Sequence, residues 1–245
     1  MKSEREIELM KAAGRTTARI LNAMCREARP GISTWDLDQL AERMCRDAGV
    51  IPAFKGYHGF PAVLCTSINS EVVHGIPSTK RVLAEGDIIS IDCGVIIDGF
   101  YSDAAVTYPV GKVSPDTQKL LDVTNASLEA AIQQCQVGGR LFDISAAVQQ
   151  MCEAEGFGVV RDFVGHGTGK SMHEDPQVPN FGAAGKGPRL KAGRVLAIEP
   201  MINAGGPEVR VLKDGWTAIT VDGSYSAHFE HTVAITKDAP RVLTR

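Results

Sequence analysis

The strongest constraint on this chain is an internal repeat at a spacing of 107 residues. Gly31, Trp35, Asp36, Leu37, Met44, Cys45 and Gly49 fall on Gly138, Phe142, Asp143, Ile144, Met151, Cys152 and Gly156. The same spacing carries Leu83, Gly86, Ile91 and Asp92 onto Leu190, Gly193, Ile198 and Glu199. Likeness across two separate segments, each ending on a carboxylate, is the mark of a duplicated supersecondary unit. A second pair of segments, 102–106 (Ser-Asp-Ala-Ala-Val) and 229–233 (Phe-Glu-His-Thr-Val), places Asp103 and Glu230 in similar company. Two copies related by a pseudo-two-fold axis would bring four carboxylates together.

Local signals define the unit. Ser3 and Glu6 read as a capping box ahead of an apolar stripe at Ile7, Met10, Ile20, Leu21 and Met24, and Pro30-Gly31 ends that helix. Thr34 is the expected cap of a second helix with Leu37, Leu40, Ala41 and Met44 on one face, closing at Gly49. A strand-like Ala62–Cys65 follows. Two β-rich runs, Ile88–Ile97 and Phe100–Val110, flank Asp98-Gly99, a strong hairpin signal. Ser114-Pro115 opens a third helix reaching about Cys135, and a fourth runs from about Phe142 to Glu155. Strand-like runs then cover Val159–Val164, Arg194–Ile202, Glu208–Leu212, Trp216–Val221 and His228–Thr236. No linker or low-complexity run interrupts them, so residues 1–245 are expected to form one domain.

A turn centred on Asp98-Gly99 sets Asp92 opposite position 105 and makes Asp103 its diagonal neighbour on the same face. Both acids lie in apolar strands, as does Glu199 in Val195–Ile202. Buried carboxylates without compensation are costly and tend to take up protons, and a divalent cation removes that cost. A solvated edge hairpin or a salt-bridged core acid would account for any one of them; four related by a repeat favour a metal. His166 stands among glycines in Gly165-His166-Gly167-Thr168-Gly169, which suits a ligand on a close-packed loop. Four carboxylates and one imidazole fit two divalent ions such as Mn, Fe, Co or Zn better than a thiolate zinc site.

Composition narrows the setting. Net charge is −3 with no basic run, which argues against a nucleic-acid or anionic-membrane partner. The N-terminus is charged at once and lacks a signal-peptide core, and no apolar stretch is long enough to cross a bilayer. Six cysteines without a CxxC pair suggest reduced thiols and a cytoplasmic location.

Several segments together resemble the methionine aminopeptidases. They are Tyr57–Pro61, Asn69–Pro77, Gly86–Asp92, Asp98–Asp103, Gly165–Gly169, His173–Pro176, Ile198–Met201 and Phe229–Thr232, in order and across nearly the whole chain. The resemblance implies an α+β pita-bread fold, with a duplicated helix-helix-hairpin unit around a curved antiparallel sheet. It implies a metalloexopeptidase that removes N-terminal methionine from nascent chains when the second residue is small. By the same resemblance, Asp92 serves one ion, His166 and Glu199 serve the other, and Asp103 and Glu230 bridge them, with the ions about 3.5 Å apart. A bridging hydroxide would be the nucleophile and Glu199 would move its proton. His173 would hydrogen-bond the scissile carbonyl as it becomes an oxyanion. His74 would lie by the first peptide bond, and the substrate's free α-amine would bind a metal.

The methionine pocket is expected to be lined by Tyr57, Phe60, Cys65, Met172 and Trp216, since a thioether suits aromatic edges and soft sulfur. Phe60, Met172 and Phe54 depart from the tyrosine, phenylalanine and cysteine common in bacterial members, yet keep the wall apolar. The short 31-residue spacing between Glu199 and Glu230 has no room for the helical insertion of type 2 members, so the chain resembles type 1. A monomer with transient ribosome contact is the expected state. Three competing readings remain: a prolidase or aminopeptidase P, a binding protein on an inactive scaffold of this shape, and a dinuclear phosphoesterase. The first would normally carry a preceding N-terminal domain, the second would have lost ligands, and the third lacks a reason for the apolar pocket.

Overall fold

The computed structural model describes residues 1–245. Helix α1 (Glu4–Glu27) begins with the expected capping box: the Ser3 hydroxyl accepts from Glu6 N, and the Glu6 carboxylate accepts from Ser3 N. It buries Ile7, Met10, Ile20, Leu21 and Met24. Helix α2 (Thr34–Asp47) is capped by Ser33 and not by Thr34. The Thr34 hydroxyl is taken by the loop beneath it, accepting from Ser78 N and donating to Ser78 O. Ser114 caps α3 (Pro115–Gln133), and α4 (Leu141–Ala154) follows.

The first half contributes β1 (Ile51–Pro52), β2 (Leu64–Ile68), β3 (Glu71–Val73), β4 (Ile88–Ile97) and β5 (Phe100–Pro109). The second contributes β6 (Gly158–Val159), β7 (Gly165–Gly167), β8 (Glu174–Val178), β9 (Val195–Ile198) and β10 (Met201–Asn203). It continues with β11 (Val209–Val211), β12 (Ala218–Thr220), β13 (Ser226–His228), β14 (Glu230–Ala234) and β15 (Arg241–Val242). Several expected strands are shorter. Val160–Val164 is not strand, because the chain leaves its one partner, β10, once Val160 N has bonded Met201 O. The run 194–202 breaks at Glu199-Pro200, where proline has no N–H to continue the ladder. The run 228–236 breaks opposite it at Phe229, whose N–H bonds Pro200 O. Glu199 therefore lies just past the end of β9 and not within a strand.

The repeat is visible in the backbone. α2 and α4 coincide residue for residue at the 107 spacing. Gly31 and Gly138 both sit at φ 90°, where a side chain would be strained. Each donates its N–H to the matching leucine carbonyl, Leu83 O or Leu190 O, and the bridge Ser33–Val82 recurs as Arg140–Arg189. The central antiparallel sheet runs β1-β4-β5-β14-β9-β7-β8, with β2 also on β4 and β15 on β14. The β5–β14 seam, where Ala105 faces Glu230, joins the two copies.

In β4, Ile89, Ile91, Cys93 and Val95 pack on one side against residues of α1 and α2. Alternation sends Ser90, Asp92 and Gly94 to the other face. Leu196, Ile198 and Val233 pack likewise against α3 and α4. Helices thus cover one side of the sheet and leave the other for polar side chains.

Candidate metal centre

On the uncovered side lies a cavity of about 220 Å³. All twelve residues singled out from the sequence line it: Asp92, Asp103, His166, Glu199 and Glu230 at the floor, His74 and His173 beside them, and Tyr57, Phe60, Cys65, Met172 and Trp216 around the wall. Phe54 and His58 complete the lining. His58 is exposed beside Tyr57, and its place in the Tyr57–Pro61 segment was the available signal.

The hairpin behaves as its turn dictates. Asp92 pairs with Ala105 and Asp103 with Gly94, so the two aspartates are diagonal neighbours. Across the seam, the Thr232 hydroxyl accepts from Asp103 N and donates to Asp103 O, which fixes the strand carrying that acid. His166 is held by its glycines: a Cβ on Gly165 would lie 2.4 Å from Ala197 O, and one on Gly167 2.5 Å from Asp175 O. Its Nδ1 is 2.9 Å from Gly167 O. A carbonyl only accepts, so Nδ1 carries the hydrogen and Nε2 presents a lone pair, as a metal-binding imidazole requires. That Nε2 stands 3.6 Å from Glu199 Oε1 and 3.9 Å from Asp103 Oδ2.

Asp103, His166 and Glu230 each bring a donor atom within 4.8 Å of the others. Asp92 Oδ1, Asp103 Oδ1 and Glu230 Oε1 are buried with no hydrogen-bond partner. Burial pushes Asp92 up to about 7; the His228 imidazole opposes that rise and the Glu199 charge adds to it. Burial, then the charges of Asp92 and Glu199, drives Asp103 well above the carboxylate range. Glu230 is raised by burial and by Asp103 and Glu199. Orphaned oxygens that resist ionisation, next to an imidazole with a free lone pair, are what a divalent ion would satisfy. The donor set is oxygen-rich with nitrogen, which fits Mn, Fe, Co or Zn. Cys65, opposite Asp92 in the β2–β4 ladder, is raised well above the usual thiol range by burial and by the acids around it, and it packs with Phe54, Phe60 and Met172.

At the mouth, Tyr57 Oη lies 2.7 Å from His173 Nδ1, and the His173 ring packs edge-on to His166 with centroids 4.3 Å apart. Burial, then the neighbouring His166, lowers His173 to about 4, so it is neutral at pH 7. His74 sits at φ 61° above Gly75, where a Cβ would meet Thr66 O at 2.1 Å. Its ring contacts Phe163 and Trp216, and burial lowers its pKa. Phe54, Phe60, Cys65 and Met172 form a small apolar cluster flanked by Tyr57 and Trp216.

Two details of the repeat change. The β7–β9 ladder sets His166 opposite Ala197, and the matching place in the first half, opposite Ser90, is Ser67. His166 thus corresponds in space to Ser67 and not to Gly59, the residue that the 107 spacing would give it, because the chain between β2 and β4 differs in length from that between β7 and β9. Likewise Val106 and His231 hold matching places opposite Ile91 and Ile198, a spacing of 125. Glu230 then corresponds to Ala105, and the likeness of 102–106 to 229–233 is shifted two residues from the register. The residue overlooked in sequence is His228, which stands 3.5 Å from Glu199. Strand alternation from Glu230 was the available signal.

Comparison with known proteins agrees with this site. The model of metallopeptidase family M24 matches residues 8–237. Methionine aminopeptidase 1 of Bacillus subtilis is 53% identical over 244 residues, covering 100% of this chain and 98% of that protein. Methionine aminopeptidase 1 of Mycobacterium tuberculosis is 49% identical over 249 residues, covering 99% and 94%. The crystal structure of the Thermotoga maritima methionine aminopeptidase superposes with a TM-score of 0.98 at 47% identity, covering 100% and 98%. A prolidase from Pyrococcus horikoshii reaches 0.80 at 22% identity over 63% of its length, a likeness of fold alone. The chain belongs to metallopeptidase family M24, among its methionine aminopeptidases.

Proposed function

We propose that residues 1–245 work as one catalytic unit that hydrolyses the peptide bond after an N-terminal methionine. The observation that carries this is the convergence of orphaned buried carboxylate oxygens and the free His166 Nε2 on one end of a cavity whose other end is a small apolar pocket. These donors would hold two divalent ions, with Asp92 serving one, His166 and Glu199 the other, and Asp103 and Glu230 both. When bound, such ions activate water and polarise the scissile carbonyl.

The remaining steps belong to the chain. Phe60, Cys65, Met172 and Trp216 take the thioether side chain, and Tyr57 closes the pocket near His173. With the Tyr57 hydroxyl donating to Nδ1, the neutral His173 keeps its hydrogen on Nε2. It donates that hydrogen to the carbonyl oxygen as charge develops there. Glu199, which keeps part of its surface open to the cavity, carries a proton from the attacking water towards the leaving amine. His74, fixed on its strained turn, positions the first peptide bond.

A small second residue is the proposed preference. Nascent chains in the cytoplasm, met at the ribosome by a monomeric enzyme, are the proposed source of substrate. No helix is long and apolar enough to cross a membrane. The test is cleavage of Met-Ala-Ser against Ala-Pro by metal-reconstituted enzyme, with Met-Gly and Met-Arg peptides alongside. Preference for Ala-Pro overturns the methionine assignment, and equal turnover of Met-Gly and Met-Arg overturns the second-residue rule. Activity that survives Asp103→Ala overturns the shared-ligand role.

A further inference from the structure

His228 is buried to 2% exposure, and its Nε2 has no hydrogen-bond partner. A buried imidazole nitrogen without a partner is costly unless something nearby satisfies it. The carboxylate within 4 Å of it is Glu199, whose Oε2 is 3.5 Å away. The other oxygen of the same carboxylate, Oε1, is the one that faces His166. The two imidazoles thus address opposite oxygens of one carboxylate.

The backbone holds His228 for this task. Its N–H donates to the Thr107 hydroxyl, and that hydroxyl donates back to His228 O, both at 2.8 Å. Its strand pairs with β10, with Met201 opposite His228, two residues beyond Glu199. The Glu199 carbonyl is in turn held by Asn180 Nδ2 at 2.9 Å. The register gives the same placement: at the 125 spacing between β5 and β14, His228 corresponds to Asp103. The second copy of the hairpin therefore turns a donor towards the acids at the point where the first copy turns an acid.

We propose that His228 is a positioning residue, whose Nε2–H donates to Glu199 Oε2 and turns Oε1 towards His166 and the ion-binding end of the cavity. The inference rests on Glu199 being a metal ligand. It separates a donor role from direct ligation, since an amide placed like Nε2 can replace the donor but not an imidazole ligand.

The experiment is metal titration of apo-enzyme by calorimetry, together with the visible absorption of the Co(II)-loaded protein, for wild type, His228→Gln and His228→Leu. The expected result is that H228Q binds Co(II) within about threefold of wild type with unchanged absorption bands. H228L should bind at least tenfold more weakly and lose kcat with KM little changed. If H228L does not fold, His228→Asn takes its place, since its amide falls one methylene short and should behave as H228L. A shift of the bands in H228Q, or equal damage in H228Q and H228L, overturns the donor role in favour of ligation. An H228L protein indistinguishable from wild type overturns the inference outright. Glu199→Ala, run in parallel, separates the failures: unchanged metal affinity there removes the ligand assignment, whereas damage there beside an intact H228L removes only the role of His228.

Discussion

Substituting Asp92 by asparagine should make the metal-free protein more stable at neutral pH while weakening its hold on one of the two ions. The carboxyl titrates near 3.8 in an ordinary setting and near 7 in the folded chain, so folding raises its pKa by roughly three units. At about 1.4 kcal/mol per unit, that corresponds to a ceiling of about 4 kcal/mol. A carboxyl whose folded pKa is raised binds its proton more tightly folded than unfolded. Its contribution to stability is therefore complete below about pH 3.8 and is lost as pH climbs through 7. Two partly desolvated histidines run the other way: His173 and His231 are lowered to about 4, so their contribution is complete above about 6.5 and lost as pH falls. The raw pH profile of the apo-protein mixes these opposing effects, and only the difference between Asp92→Asn and wild type isolates the carboxyl. Asp92 keeps some exposure to the cavity, and removing its charge also eases the ionisation of Asp103, so about 2–4 kcal/mol is the expected span. The assay is urea denaturation of both proteins in chelator from pH 4.5 to 7.5. The advantage of D92N should grow steadily with pH, and saturating divalent metal should shrink or reverse it by stabilising wild type more. A difference that stays flat with pH would refute the claim that Asp92 is held protonated until an ion displaces the proton.

Tyr57→Phe removes the hydroxyl at His173 Nδ1 and should lower kcat several-fold to tenfold with KM little changed; an unaltered kcat would detach Tyr57 from the chemistry. The Lys2 ammonium bonds Glu174, which also accepts from Lys170 N and Ser171 N in the loop leading to Met172 and His173. Lys2→Met should cost about 1–3 kcal/mol in denaturation and reduce turnover, and Lys2→Arg should restore most of both. Gly75→Ala drives a Cβ into Thr66 O at 2.1 Å and should cost about 2 kcal/mol or more while displacing His74, seen as a fall in kcat/KM larger than the fall in melting temperature would suggest. Metal titrated into apo-enzyme should bind in two steps, because nitrogen donors serve one side of the acid cluster more than the other; a single cooperative step would count against inequivalent sites.

What the sequence disclosed, and what it hid, follows from how local each determinant is. Asp98-Gly99 sets its hairpin within a few residues, so the pairing of Asp92 with Ala105 is readable from the sequence alone. The repeat was readable because its glycines are backbone requirements: Gly31 and Gly138 share a φ of 90° that a side chain would resist, so both copies retain them. The cap of α2 was misplaced by one residue because Ser33 and Thr34 are equally good caps locally. A loop 44 residues away decides which hydroxyl is free.

The second copy was harder to read because its strands are interrupted by a tertiary pairing. Pro200 stops β9, Phe229 steps out opposite it, and the hairpin resumes in a different sheet through β10 and β13. A sequence likeness at a spacing of 127 then matched Glu230 to Asp103, whereas the ladder matches Glu230 to Ala105 and His228 to Asp103. The interruption also has a chemical consequence. An unbroken second hairpin would repeat the first, with one acid in each strand. The broken one leaves Glu199 just past β9, sets Glu230 at the seam and brings His228 to one oxygen of Glu199, while β7 delivers His166 to the other. The first copy thus supplies only oxygen donors and the second both oxygen and nitrogen. The departure from two-fold symmetry makes the two ends of the acid cluster different.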